Sequence, residues 1–298
     1  MDLQHAFNKL KDENEVAIVE KYSFIGKRYT IVLTAFGICA ISIYILIQFW
    51  STIIAFFVVS MNVSQSYQLL ITTEYFIDQE KYFYLIVLHI SSTFCIGIII
   101  MVGIGTIFIT YLQHTYGMFR IASYRIEHAI SINILQNITL KNKILMTEGI
   151  AYGVDFLGQA MKLSKQMLST FEIMFFGLII CGVFCLSVNL FQMASPKNTF
   201  EEMCFPFIYV FLTVVYMFVS NYVGQDVVDH NNRIFSTAYN VQWYKAPIHV
   251  QKMILFLLQR ETKEFTLNVG RLFNASMECF ATLVKTSISY FTVIYSTR

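Results

Sequence analysis

Five stretches of the chain are apolar for long enough to change the solvent in which they fold. They cover residues 30–61, 84–112, 171–193, 205–223 and 275–295. Each is close to or above the roughly 20 apolar residues that carry a helix across about 30 Å of hydrocarbon. Backbone groups in lipid find partners only within their own segment, so helices are expected. The first two stretches exceed the minimum and have room to tilt or to extend past the hydrocarbon. Between them the polar connections alternate, short at 62–83 and 194–204, long at 113–170 and 224–274. One piece of the last connection, HVQKMILFLLQR at 249–260, is apolar but too short to span. With Pro247 just before it, it reads as a helix packed under the membrane. The pattern predicts an all-α, polytopic membrane protein, a single membrane domain over 1–298 with five transmembrane helices.

Charge then orients the spans. Counted in order, the segments outside the spans hold five, one, six, one, six and one Lys or Arg. The excess of positive charge marks the cytoplasmic side. The amino end is therefore expected to be cytoplasmic and the carboxyl end extracellular, with 113–170 and 224–274 as long cytoplasmic connections. On this topology the sequon at Asn62 faces outward and suits glycosylation, whereas that at Asn137 faces inward.

Composition narrows the function by exclusion. With 56% hydrophobic and 13% charged residues and a net charge of +2, the chain lies in the membrane class. No Lys/Arg block exists for nucleic acid. The first 28 residues are charged and mixed, with no apolar core of a cleavable signal. The six cysteines form no CxxC pair, and the six histidines are scattered without ligand spacing. No phosphate-binding, metalloprotease or nucleophile-elbow motif is present. The expectation is a non-enzyme with no cofactor and no metal. Glycines Gly97, Gly103 and Gly105 make the second span suited to close helix packing or to a hinge.

The last stretch is the most polar of the five. Thr282, Thr286, Ser289, Val293 and Ser296 recur at steps of four and three, which puts them on one helix face. Hydroxyls on one face serve either as glue between membrane helices or as the wall of a water-filled path, with valine as a constriction. Lys285 lies on a different face; a charge near mid-membrane must meet protein, water or an acid, and Glu278 is the nearest acid along the helix.

The carboxyl third carries a resemblance. YNVQWYKAP, then QRETKEFTLNVGRLFNASMECFATLVKTSISYFTVI, resembles the end of an insect odorant receptor. The matching positions are Trp243 and Tyr244, the polar run 259–263, then Phe273, Ser276 and Glu278, and finally Lys285, Ser287, Ser289, Tyr290, Phe291 and Thr292. YFIDQEKYFYLIVLH and YLQHTYGMFRIASYRIEHA are similar to the family's middle. The similarity runs from about residue 11 to 298.

The resemblance implies seven membrane helices with the amino end inside, of which this chain lacks the first two. It implies a ligand-binding (tuning) subunit that joins a shared odorant co-receptor in a hetero-tetramer. That assembly is an odorant-gated, non-selective cation channel in the dendrite plasma membrane of olfactory neurons, and the ligand is a small volatile organic molecule. The last helix then lines the pore through Thr286, Ser289, Val293, Ser296 and Thr297, with Val293 at the gate and the last two at the mouth. Trp50, Phe94, Tyr209 and the deeper Tyr216 are the aromatic candidates for the odorant pocket. Trp243 and Tyr244 are expected to anchor neighbouring subunits beneath the membrane. A gustatory-type channel subunit and a truncated, non-functional receptor remnant are the alternatives.

Overall fold

The computed structural model describes residues 12–57, 75, 78, 81–131, 135, 139–194, 200–261, 268–269 and 273–296. Six α-helices carry nearly all of them. They are α1 (Glu13–Phe57), α2 (Phe83–Ala129), α3 (Leu140–Met193), α4 (Phe200–Asn240), α5 (Ile248–Glu261) and α6 (Met277–Ser296). A 3-10 turn, Trp243–Lys245, joins α4 to α5. Strands β1 (Asn268–Val269) and β2 (Phe273–Asn274) pair antiparallel just before α6, Val269 opposite Phe273.

α2, α3 and α4 contain the second, third and fourth predicted spans and run well beyond them, while α1 covers residues 30–57 of the first, whose last four residues lie outside the described set. α3 has 54 residues, which at 1.5 Å per residue is roughly 80 Å, more than twice the hydrocarbon thickness. The long polar connections are thus largely helix, continuous with the spans. α1 to α4 are long and apolar enough to cross a membrane by length and composition. α6 coincides with the fifth predicted span but falls short of the same hydropathy, because one lysine, one glutamate and a series of hydroxyls dilute it.

Helix ends are set locally. Thr139 caps α3, its hydroxyl accepting the Asn142 N–H at 3.3 Å. α5 starts directly after Pro247, whose carbonyl accepts from Val250 and Gln251. Ser276 caps α6, its hydroxyl accepting the Cys279 N–H at 3.2 Å, and Glu278 complements the dipole in the first turn.

The chain divides into two compact units, one formed by 23–113 and the other by the first 22 residues together with 114–298. In the first, α1 and α2 approach through glycine. A methyl at Gly105 would come within 2.7 Å of Leu33 Cδ2, and one at Gly37 within 2.9 Å of Val102 Cγ2. Among the described residues nothing lies within 4 Å of a methyl at Gly97 or Gly103, whereas Gly105 serves packing. In the second unit α3 packs against α4, α5 and α6, and α4 against α5 and α6. Its core lies mainly in the segments past the predicted spans, a helical base where Phe119, Ile126, Ile150, Leu157, Ile234 and Ile254 are fully buried.

Candidate functional site

α6 is held on one side and open on the other. Leu283 and Ser287 are buried, one turn apart. Leu283 joins Leu186 of α3 and Met217 of α4 in a cluster that also seats Phe273, Cys279 and Phe280. Ser187 donates to the Ser287 carbonyl at 3.2 Å, so a hydroxyl and a backbone oxygen tie α3 to α6 at the same height. At the start of the helix, a methyl at Gly224 of α4 would fall 2.3 Å from Ala275 Cβ and 2.7 Å from its carbonyl oxygen. Only glycine fits that approach.

The motif residues Phe273, Ser276 and Glu278 thereby gain a physical role. Phe273 enters the cluster, Ser276 caps and Glu278 meets the helix dipole. Together they fix where α6 begins.

A second face, roughly a third of a turn round from the packed one, carries the hydroxyl stripe. Thr282, Ser289, Val293 and Ser296 are exposed and Thr286 is half-buried. Among the described residues their hydroxyls close back onto their own helix: Thr282 to Glu278 O, Thr286 to Thr282 O at 2.8 Å, Ser296 to Val293 O at 2.9 Å. Such bonds satisfy the donor and leave lone pairs facing outward. Val293 is the apolar member of the face, 58% exposed. Thr297 lies outside the described residues. Lys285 is exposed and forms no ion pair among the described residues; Glu278 is exposed as well.

The aromatic candidates separate. Trp50 lies in α1, its side chain outside the described set. Phe94 stacks on Tyr44, with centroids 4.7 Å apart and planes 14° from parallel. Tyr209 is exposed on α4, while Tyr216 packs against the Leu186–Met217–Leu283 cluster. Trp50 and Phe94 belong to one unit, Tyr209 and Tyr216 to the other. Asn62 is outside the described residues. Trp243 and Tyr244 sit edge to face at 6.4 Å in the 3-10 turn, with Trp243 half-buried and Tyr244 60% exposed. Around them Tyr239, Ile248 and Phe256 are exposed, an apolar surface of the sort that interfaces cover.

Two side-chain networks in the base were not legible in the sequence. In one, Arg125 of α2 donates to both carboxylate oxygens of Glu15 on α1, Nη2 at 2.9 Å. Its guanidinium also lies over the Phe156 ring, 4.1 Å from the centroid. Next to it, Tyr124 donates to Asp12 at 2.8 Å and stacks on His128. The Asn14 backbone N–H, and after it the Tyr124 hydroxyl, hold the Asp12 carboxyl below the usual carboxylate range. These groups line an open cleft of about 340 Å³.

The second network joins α1, α2 and α4. Tyr116 and His230 stack at 4.1 Å, and Tyr22 meets both rings edge-on at 6.5 Å. His230 Nδ1 donates to the Asp226 carbonyl at 2.8 Å; burial, and after it the Asp226 carboxylate, push the Tyr116 hydroxyl's pKa up. Spacing alone shows none of this, because the partners are over 90 residues apart.

A family profile described as 7tm Odorant receptor matches residues 1–288. The chain is similar to odorant receptor Or2 of Anopheles gambiae, 24% identical over 124 residues, 41% of this chain and 31% of that one. Odorant receptor 10 of Aedes albopictus is likewise 24% identical, over 123 residues, 41% of this chain and 31% of its own length. The matched stretch therefore spans about a third of these curated relatives. In fold, the chain resembles the insect olfactory receptor OR5 of Machilis hrabei, solved in complex with eugenol. That TM-score is 0.60 at 14% identity, over 94% of this chain and 70% of the other.

Proposed function

We infer the function from one premise: the chain belongs to the 7tm odorant receptor family. It is a multi-pass membrane protein, and its relatives are receptors rather than enzymes. We propose that it acts as the odorant-tuning subunit of a heteromeric, odorant-gated, non-selective cation channel. Its partner is the family's co-receptor, and it works in the dendrite plasma membrane of olfactory neurons. The amino end and the helical base lie in the cytoplasm, and the carboxyl end of α6 lies outside.

The observation that carries this reading is the two-sidedness of α6. One face is committed to α3 and α4 through Leu283 and Ser287, and the other presents Thr282, Thr286, Ser289, Val293 and Ser296. A helix packed as glue buries its hydroxyls, whereas one lining an aqueous path frees them. Val293 supplies the constriction, with Ser296 and Thr297 at the mouth. Aromatic side chains along the spans, Phe94 and Tyr209 among them, provide surface for a small volatile molecule, with Trp50 and the deeper Tyr216 completing the candidates. Trp243 and Tyr244 meet the neighbouring subunit, and Asn62 carries a glycan.

Co-expression with the co-receptor tests this directly. The expected result is an odorant-evoked inward current that persists with G-protein signalling blocked. Val293→Ser should raise the resting conductance, because a hydroxyl wets an apolar constriction. An odorant response wholly dependent on G proteins, or a Val293→Ser channel with unaltered conductance, contradicts the assignment.

A further inference from the structure

In the base, beside the Tyr116–His230 stack, lie two guanidiniums and one hydroxyl with no ion pair or hydrogen bond among the described residues. Arg120 follows Tyr116 by one turn on α2, and Arg233 follows His230 by nearly one turn on α4. On the topology proposed above both helices run from the outer side inward, so the stack that joins them at 4.1 Å carries both arginines to the same level. Tyr22 meets both rings of the stack edge-on, within a turn of each arginine's position, and burial raises its pKa while both guanidiniums oppose that rise. Arg120 and Arg233 are exposed and form no ion pair among the described residues, and the half-buried Tyr22 hydroxyl makes no hydrogen bond among them. Asp226 is the acid that faces this cluster. It pairs with His230 on its own helix, 3.4 Å from Nδ1, and lies a turn closer to the span.

Two arginine forks and a phenol around one space are the donor set of a phosphate site. We propose that Tyr22, Arg120 and Arg233 bind a phosphate monoester on the headgroup of a polyphosphorylated membrane lipid. The lipid source follows from depth, and rests on the cytoplasmic placement of the base proposed above. At 1.5 Å per residue, the three side chains lie about 12–15 Å beyond the ends of their predicted spans. The headgroup layer extends only about 5–7 Å past the hydrocarbon on each side. A simple phosphodiester falls short of the site, whereas a phosphorylated inositol ring projects into it. Basic pockets between membrane helices on the cytoplasmic side suit such headgroups.

Native mass spectrometry of the full chain in detergent tests the site without needing channel activity, so its failure is separate from failure of the channel reading. The probes are phosphatidylinositol bisphosphate, phosphatidylserine of the same acyl chains, and soluble inositol trisphosphate. The bisphosphate lipid should bind at least tenfold more tightly than phosphatidylserine. Arg120→Gln with Arg233→Gln should abolish that preference, and Tyr22→Phe should weaken it several-fold. Arg120→Lys with Arg233→Lys, which keeps charge and fold but loses the fork, should bind at an intermediate level. Lys162→Gln with Lys252→Gln, exposed elsewhere in the base, should bind like the native chain. Equal binding of the two lipids overturns the proposal. So does a preference that survives the double Gln variant, or inositol trisphosphate binding as tightly as the lipid.

Discussion

Within α3 alone, two regions of one continuous helix follow opposite rules. From residue 146 to 167 the buried positions recur at three and four: Met146, Ile150, Gly153, Phe156, Leu157, Ala160, Leu163, Ser164 and Met167. From 168 to 181 nothing is buried, although this is the more apolar half, and Ile173 is 87% exposed. The lower half reads as a helix in water, with an apolar stripe turned inward and polar residues outward. Residues 168–181, short of the Leu186 and Ser187 contact with α4 and α6, bury no side chain, and only lipid makes that much exposed apolar surface favourable. The other long helices agree: 11% of the most apolar stretch is buried in α1 and α2, and 17% in α3 and α4. Folding is therefore driven by burial in the base. In the spans the apolar surface is already solvated by acyl chains, so packing rests on close approach and on hydrogen bonds.

The largest effect should come from breaking the ion pair that pins α1 to α2 in the base. Glu15 and Arg125 have side chains only 7% and 14% exposed. Glu15→Ala leaves a partly buried guanidinium without its acid, a loss of roughly 3–5 kcal/mol. Replacing both, Glu15→Ala with Arg125→Met, should recover most of it, because the desolvated charge is gone and a Met stem still packs on Phe156. Thermal melts of the detergent-purified chain measure both. A double variant no better than the single one contradicts this account.

Truncation compares the two regions directly. Ile150→Ala in the base removes a fully buried side chain beside Gly149 and Gly153, where α3 meets Ala129 and Ile126 of α2, and should cost about 2–4 kcal/mol. Ile99→Ala in the second span removes an equal volume from a side chain 66% exposed, and should cost well under 1 kcal/mol. Similar losses at the two sites mean that the spans are packed as the base is, and the two-solvent description fails.

The same contrast explains what was legible in the sequence. Hydrophobic length pointed to the four helices long and apolar enough to cross a membrane, because lipid imposes a length requirement that composition reports. The hydroxyl face of α6 was legible for a related reason: with helical period known, position along the chain gives position around the axis. The extent of the helices was not. No proline interrupts 113–170, yet a polar, charged stretch between spans reads as a connection until its three-and-four stripe is weighed against a partner. Gly149 and Gly153, four apart, were overlooked because they lie outside the apolar segments. They permit contact with Ala129 and Ile126, where a methyl would come within 2.8 and 2.9 Å. Networks such as Glu15 with Arg125, or Tyr22 with Tyr116 and His230, join residues far apart in sequence. They emerge only once α1, α2 and α4 are assembled.

The smallest expected effect sharpens the comparison through pH. Asp12, ahead of the first turn of α1, accepts the Asn14 N–H at 3.0 Å and the Tyr124 hydroxyl at 2.8 Å. Its folded pKa is depressed, so its contribution to stability is present above the ordinary carboxylate value of roughly 4 and is lost as pH falls through the depressed value. The melting temperature of the native chain should drop on acidification below about pH 4, and Asp12→Asn should lose part of that drop while starting from a lower neutral value. Water competes at this edge of the base, so the difference is small beside that of Glu15→Ala. Carboxylates in contact with water titrate, whereas surface facing acyl chains has no proton to exchange. Acid should therefore loosen the attachment of α1 to α2 in the base before it alters the spans. If Asp12→Asn follows the native pH profile at every point, the Asn14 and Tyr124 hydrogen bonds do not hold the charged carboxylate in solution, and the attachment rests on Glu15 with Arg125 and on Tyr22 with Tyr116.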